Sequence, residues 1–328
     1  MLAVVVIVAV AGAVWFVQNG QTTAQAVAKQ SHPETVRFAY VPAPFNAVPI
    51  IALRNGYFAD EGLQVEEVRA SFVGYVFQEL LDGNVDVLSG AETPAVFMAF
   101  KSSEFRIIAK HEENKNDLVM VTRTESKINS VRDLVGKKVG LPFTSVCQYN
   151  LWKLLRENGV NYTAVQQVDL APQNMASALS HGDVDAVFAW EPTPSKIIEG
   201  LGSQVSSFTP DSSWMMNVYV SKQFSTHTDT EEKFLRALLR AQEFLIANKT
   251  QAISIVANET NLDLGTLSAL WGHWKFNVTE FNDAEVMVGQ AVWAKEIGLV
   301  NVTGIPDFAA MVDSVVVREV LDEANKSV

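Results

Sequence analysis

One cysteine, Cys147, stands among 328 residues. That scarcity excludes an internal disulfide and a lipid anchor on a cysteine just after a leader, so stability must come from a packed core. Basic residues are also few: 25 Lys and Arg against 37 Asp and Glu give a formal net charge of −12. The chain therefore lacks the basic field that a phosphate backbone or an anionic lipid surface requires, and nucleic acid is excluded as a partner. An anionic ligand would have to be held by local backbone dipoles against the global field. The five histidines, at positions 32, 111, 181, 227 and 273, show no metal-ligand spacing, and no Ser/His/Asp or Cys/His pattern occurs. No catalytic residue, metal or cofactor is expected. Cys147 shares one helical face with Leu151, Leu154 and Leu155, which predicts a buried thiol and not a nucleophile.

What is present begins with an apolar run. Leu2 to Val17 is uninterrupted, and no charged residue precedes Lys29. Its length lies between a signal-peptide core and a spanning helix, and Ala24-Gln25-Ala26 supplies a small-x-small cleavage pattern. Residues 1–26 are read as a signal peptide or a membrane anchor, and 27–35 as a polar linker. Either reading puts the rest of the chain outside the cytoplasm, on the periplasmic or extracellular face of the cytoplasmic membrane. With 48% hydrophobic residues, the remainder is long enough for two domains of ordinary size.

One pattern occurs twice. Leu81, Gly83, Val85, Asp86 and Val87 lead to Pro94, and Leu179, Gly182, Val184, Asp185, Ala186 and Val187 lead to Pro192. Each copy has the form of a helix end, a glycine in the left-handed conformation, a buried strand and a proline opening the next helix. Such βα units bind ligands beyond the carboxyl ends of their strands, so two copies predict two α/β lobes facing one cleft. Around them, Val73, Val76, Phe77, Leu80 and Leu81 predict one amphipathic helix. Thr228 and Glu231 predict a capping box ahead of a long helix. The first lobe is expected at 36–121 plus 219–328 and the second at 122–218, with a two-strand hinge near Val121 and Val218.

Asn55-Gly56-Tyr57-Phe58 with Glu61-Gly62-Leu63-Gln64-Val65-Glu66, Gly83 to Asp86, Asp133 to Val139 with Pro142-Phe143-Thr144-Ser145, and Gly182 to Pro192 form four motifs in order. Together they resemble the solute-binding proteins of taurine, sulfonate and nitrate importers, a family shared with the fungal thiamine-pyrimidine proteins (NMT1/THI5-like). The resemblance covers nearly all the chain from Val36 onward. It implies an α/β, two-lobed type II periplasmic-binding-protein fold. It also implies a monomer that delivers a small ligand to an ABC permease with a cytoplasmic ATPase, and no enzymatic activity. The fungal pyrimidine synthases carry a cysteine-rich segment that this chain cannot supply. The alternatives left open are a thiamine-pyrimidine-precursor binder and a membrane-tethered sensory ectodomain.

Candidate site residues follow from position. Glu92, with Thr93 beside it, and Glu191 each follow a doubled strand, placing an acid at each edge of the cleft. Phe45, with Asn46 beside it, Tyr149, Trp190 and Trp214 lie at element ends where aromatics can wall a pocket. In the resembling family the turn matching Thr144 and Ser145 holds an anionic group, in keeping with a helix N-terminus, while Ser145 and Gln148 also fit a plain capping box. Taurine-type relatives carry an acid where Asn217 stands here. The acids and the anion turn together predict a zwitterion such as an amino-sulfonate, with a nitrogenous ligand also open. Six Asn-x-Ser/Thr sequons, at Asn161, Asn248, Asn258, Asn277, Asn301 and Asn325, would be surface acceptors where exported proteins are glycosylated. The apolar run yields a direct test: protease added to spheroplasts should digest the chain beyond the linker. Recovery of the full-length chain as a soluble cytoplasmic protein is the contrary result.

Overall fold

The computed structural model describes residues 34–326. The apolar run at Leu2–Val17, the Ala24–Ala26 pattern and all but the end of the linker lie outside them. Among the described residues no helix is long and apolar enough to cross a membrane.

Among the described residues eleven strands form two sheets. The first contains β1 (Glu34–Tyr40), β2 (Leu63–Arg69), β3 (Val87–Ala91), β4 (Phe105–Lys115), β10 (Ser213–Ser221) and β11 (Trp274–Thr279), in the order β11-β4-β10-β3-β1-β2. The second contains β5 (Leu118–Arg123), β6 (Lys138–Leu141), β7 (Gln166–Asp169), β8 (Ala186–Trp190) and β9 (Val205–Phe208), in the order β7-β6-β8-β5-β9. The run β2-β1-β3-β10 repeats as β7-β6-β8-β5: a parallel trio closed by an antiparallel strand. This is the two-lobed type II periplasmic-binding-protein arrangement, and the repeated motif contributes β3 to one lobe and β8 to the other.

The two aspartates of the repeat do the same work. Asp86 accepts the backbone N–H of Arg37 at 2.8 Å and binds its guanidinium through both oxygens, at 2.9 and 2.5 Å, while its own N–H donates to the Arg37 carbonyl at 2.9 Å. Asp185 accepts the N–H of Lys138 at 2.9 Å and the Ser126 hydroxyl at 2.9 Å, and donates its N–H to the Lys138 carbonyl at 2.8 Å. Each carboxylate satisfies a backbone donor beside the start of a strand, where the ladder has no partner to offer, and so sets the register of β1 with β3 and of β6 with β8. The glycines before them are left-handed, at φ +74° for Gly83 and +78° for Gly182.

The chain passes from the first sheet to the second through Asn116 and Asp117 and returns through residues 209–212, some residues ahead of the expected crossings near Val121 and Val218. The crossings are tied together: the Asn116 N–H donates to the Ser212 carbonyl at 2.9 Å, and His273 Nδ1 lies 2.9 Å from the Asn116 carbonyl. This is the two-strand hinge.

Three expectations change. Strand β1 starts at Glu34, two residues before Val36, and pairs with Leu63 from its first residue. The stripe from Val73 to Leu81 is not one helix: a short turn at Val73–Tyr75 and a helix at Phe77–Leu81 meet at Val76, although Val73, Phe77 and Leu80 are buried as expected. The break lies beside Gly74, where an extended Phe72 lays its ring 2.5 Å from where a β-carbon would stand. Thr228 and Glu231 form no capping box, because the first turn closes on the His227 carbonyl and Thr228 already lies inside the helix Thr228–Ala247. Cys147 is fully buried, as its spacing predicted, and all six sequon asparagines are exposed.

Gly83 isolates a backbone term. A β-carbon there meets nothing within 4 Å, so Gly83→Ala should cost only the left-handed conformation, about 1 kcal/mol. Urea unfolding measures this as a lower midpoint at unchanged slope; an unchanged midpoint would show that the turn relaxes freely.

Candidate functional site

The strands β3 and β8 end opposite one another across the hinge, and the residues that follow them occupy equivalent positions. Glu92 is the first residue after β3 and Glu191 the first after β8, and both are buried. Glu92 accepts the Met215 N–H at 3.2 Å and the Gln290 side-chain amide at 2.9 Å. Burial pushes its carboxyl up to about 7, opposed by hydrogen bonds from its own backbone, Met215 and Gln290. Glu191 accepts the Ser195 N–H at 3.2 Å, and burial raises its carboxyl as well. Thr93 is buried with its hydroxyl unpartnered.

Aromatic rings from both lobes meet between these ends. Phe45 contacts Trp214 edge-on at 4.9 Å between centroids, and Phe72 approaches Trp190 at 5.7 Å. With Val41, Gly90, Pro94, Val146 and Met216 they enclose an apolar space of about 20 Å³, roughly the room of one water. A larger cleft of about 450 Å³ opens on the other side of Trp214 and is lined by Glu92, Asn114, Tyr149, Lys153 and Gln290 among others. Lys196 of the second lobe donates to the Thr260 carbonyl of the first at 2.8 Å, a further bond across the lobes.

The turn expected to hold an anion is largely satisfied from within. The Thr144 N–H donates to the Gln148 side chain at 2.8 Å, Ser145 Oγ accepts the Cys147 N–H at 3.2 Å, and the Ser145 hydroxyl donates to the Pro142 carbonyl at 2.6 Å. Thr144 adopts φ +57°. Ser145 thus caps the helix Val146–Glu157, with Gln148 closing on Thr144 in place of Ser145.

The structure gathers Phe45, Trp190 and Trp214 around one space, whose lining does not include Glu92, Thr93 or Glu191; Glu92 lines the larger cleft instead. Asn46 lies behind it: its amide donates to the Val41 carbonyl at 2.8 Å, and its Oδ1 is 2.6 Å from Ser89 Oγ, which is 2.7 Å from His111 Nε2. Burial holds His111 neutral, pushed down to about 3. Tyr149 turns away from the aromatic space and stacks on Trp152 and against Trp293, at 5.9 and 5.2 Å. Asn217 is fully buried, donates to the Tyr219 hydroxyl at 3.1 Å and leaves Oδ1 unpartnered.

Sequence reasoning missed Glu112, Asn114, Asp117 and Ser212, all buried at the hinge and each with side-chain atoms lacking a partner. The signal available was the charged run Lys110-His111-Glu112-Glu113-Asn114-Lys115 inside a segment otherwise read as a strand and its exit. Cys147 is no nucleophile: burial raises its thiol well above the ordinary range, and among the described residues no group of His, Cys, Asp and Glu is placed to hold a metal.

Comparison with known proteins gives a consistent picture. The sequence model described as NMT1/THI5 like matches residues 45–252. The taurine-binding periplasmic protein of Escherichia coli K12 is 23% identical over 199 residues, 59% of this chain and 61% of that one. This chain therefore spans less than two thirds of that relative's length. The formylaminopyrimidine-binding protein of Halalkalibacterium halodurans is 25% identical over 259 residues, 76% of this chain and 77% of that one. Among solved structures, the alkanesulfonate-binding protein SsuA of Xanthomonas axonopodis pv. citri bound to MOPS superimposes with TM-score 0.77 at 16% identity, over 87% of this chain and all of that one. The fold also occurs in a desulfurization enzyme, DSZB, at TM-score 0.66 and 13% identity over 89% of this chain and 99% of that one.

The buried Glu92 carboxyl has a consequence for stability. In the unfolded chain it ionises near 4.5, and in the fold at about 7, so between those values the folded state holds the extra proton. The stability this contributes is present below 4.5 and is lost as pH rises through 7. Glu92→Gln, with the Gln290 amide turned to accept, removes that dependence. Relative to the parent, the variant should gain about 3 kcal/mol across the window. Urea unfolding at a series of pH values measures the difference; parallel curves would show that Glu92 does not titrate there.

Proposed function

The chain belongs to the NMT1/THI5-like family, and from that membership we propose that it is the extracytoplasmic solute-binding component of an ABC importer. In this reading the two lobes close on one small molecule at the ends of β3 and β8, and the loaded protein presents it to a permease with a cytoplasmic ATPase. The observation that carries it is the convergence of Phe45, Phe72, Trp190 and Trp214 from both lobes, with the buried acids Glu92 and Glu191 next in sequence to the lining residues Ala91 and Trp190. Apolar walls with a few placed polar groups are the ordinary construction of a small-molecule site. The hinge at Asn116–Asp117 and residues 209–212 supplies the joint on which the lobes would move.

Capture is favoured over catalysis. Both relatives described above are binding proteins by name, and the buried Ser89–His111 contact has its imidazole pushed down to about 3 by burial, which makes it a poor base. The fold itself serves an enzyme elsewhere, so the choice rests on the site and not on the architecture. The name of the taurine-binding relative supports an amino-sulfonate ligand; that of the formylaminopyrimidine-binding relative supports a thiamine-pyrimidine precursor. The periplasmic relative also supports a place outside the cytoplasmic membrane, tethered or released according to the fate of residues 1–26.

A thermal-shift screen of sulfonates, nitrate, amino acids and pyrimidines tests capture directly. A true ligand at a hundred times its dissociation constant should stabilise the fold by about 2.7 kcal/mol. Solution scattering should then report a smaller radius of gyration for the loaded protein than for the empty one. Binding with no change in radius would remove the closing hinge, and absence of any stabilising compound would remove the capture reading.

A further inference from the structure

Three buried polar side chains behind the apolar space form a chain of hydrogen bonds. The Asn46 amide donates to the Val41 carbonyl at 2.8 Å, the Ser89 hydroxyl donates to Asn46 Oδ1 at 2.6 Å, and His111 Nε2 lies 2.7 Å from Ser89 Oγ. The direction of every proton in it is fixed. A carbonyl only accepts, so Val41 takes the Asn46 NH2 group and leaves Oδ1 facing Ser89. Ser89 has one hydroxyl proton, and Oδ1 takes it. The Ser89 oxygen must then accept, so the His111 imidazole carries its proton on Nε2 and donates. The opposite tautomer would leave a bare Nε2 facing an oxygen with no proton to offer and a buried Nδ1–H with no acceptor, two faults in place of the single unpartnered Nδ1.

Neither end of this chain follows local preference. Asn46 stands at the N-cap position of the helix Ala47–Arg54, where asparagine ordinarily caps with its side chain, yet it makes no capping bond and turns its amide to Val41 and Ser89. His111 is the extra residue of a bulge in β4: Glu112 pairs with Met216 and Lys110 with Asn217, consecutive on β10, so no residue of β10 stands opposite His111. A bulge bends its strand and re-aims the side chain it carries. Here the ring reaches past β10, the strand between, to Ser89 on β3. A cap and a ladder position are both given up to the same network, and apolar packing alone would require neither.

The network ends on the walls of the interlobe space. Val41 lines that space, Phe45 precedes Asn46 and Gly90 follows Ser89, and all three belong to its lining. Pro42 and Pro44 have no backbone N–H to offer, so the loop from Val41 to Asn46 depends on side chains for its hold on the sheet. Its one side-chain tie of this kind is the Asn46 amide, and Asn46 is held in turn by Ser89 and His111. β4 runs on from His111 to the Asn116–Asp117 crossing. We propose that His111 is a positioning residue of the interlobe site: by donating through Ser89 to Asn46 it fixes the loop Val41–Asn46, and with it Phe45 against Trp214, to the strand that leads into the hinge. This rests on the reading that the chain captures a small molecule between its lobes.

The test uses the full chain, detergent-solubilised, and three variants. Ser89→Ala removes the middle of the network, His111→Leu removes its donor, and His111→Gln keeps an amide N–H near the place of Nε2. Nitrogen-15 correlation spectra of the parent should show His111 protonated on Nε2 and bare on Nδ1; a proton on Nδ1 overturns the proposal whether or not any variant folds. With 5-fluorotryptophan incorporated, the Trp214 fluorine resonance should shift in Ser89→Ala and His111→Leu, since Phe45 meets that ring edge-on at 4.9 Å, and should return toward the parent's in His111→Gln. The Trp271 and Trp293 resonances should stay in place. An unmoved Trp214 in both disrupting variants overturns the proposal, and so does equal movement of all three rings, which marks general loosening. Calorimetry with taurine and with ethanesulfonate then reads capture: a probe bound by the parent should bind roughly tenfold more weakly to Ser89→Ala and His111→Leu, the worth of one good hydrogen bond, and regain affinity in His111→Gln. Equal affinity in parent and variants overturns the positioning role while leaving capture standing. If neither probe binds the parent, capture of sulfonates falls, and the nitrogen and fluorine spectra decide the network by themselves.

Discussion

Two aspartates set the geometry on which everything else rests. Asp86 and Asp185 each close a backbone gap between adjacent parallel strands, and in doing so they hold β3 and β8 at matching depths in their sheets. Glu92 and Glu191 follow those strands at once, so the two clamps also decide where the acids emerge. The repeated Val-Asp pair is thus structural in its own chemistry and also sets where the two acids stand. A side chain that pins a strand does more for a site than one that merely borders it, since a shift of register by one residue would turn every facing group over.

The interior between the lobes carries an uneven balance of polarity. Elsewhere in the fold, charged pairs lie at the periphery and are matched, as with Arg54 bound to Glu67 and Glu259. There the guanidinium holds the Glu67 carboxyl down at about 2 against the opposing effect of burial. At the hinge the reverse applies: carboxyls are buried and their ionisation is disfavoured. Stability is given up locally where the lobes meet.

The candidate site was partly legible before any coordinates. Glu92 and Glu191 followed from the doubled motif, and Phe45, Trp190 and Trp214 from their places at element ends, because strand termini and the loops after them are local properties of the chain. Tyr149 has the same local description and a different outcome, since its ring packs on Trp152 and Trp293. Thr144 and Ser145 carried a helix-start signature that serves capping and anion binding alike. Only the partners adopted by Gln148, Cys147 and Pro142 show how much of that capacity is used inside the fold.

The amino-acid sequence alone determined the scarcity of sulfur chemistry, the acidic balance, the buried face of Cys147 and the two βα units with their left-handed glycines. Each depends on composition or on spacing within a few turns of chain. Tertiary structure decided what lies at the hinge. Glu112, Asn114 and Asp117 belong to a stretch whose alternating charges give no sign of burial, and they become interior only because β10 and β11 pair with β4 on either side. Pairing across a hundred residues brings Trp214 and Trp274 to the two flanks of Asn114, and the crossing brings Asp117 within electrostatic reach of Cys147 in the helix Val146–Glu157. Burial is a property of those long-range pairings, and no local pattern of charges encodes it.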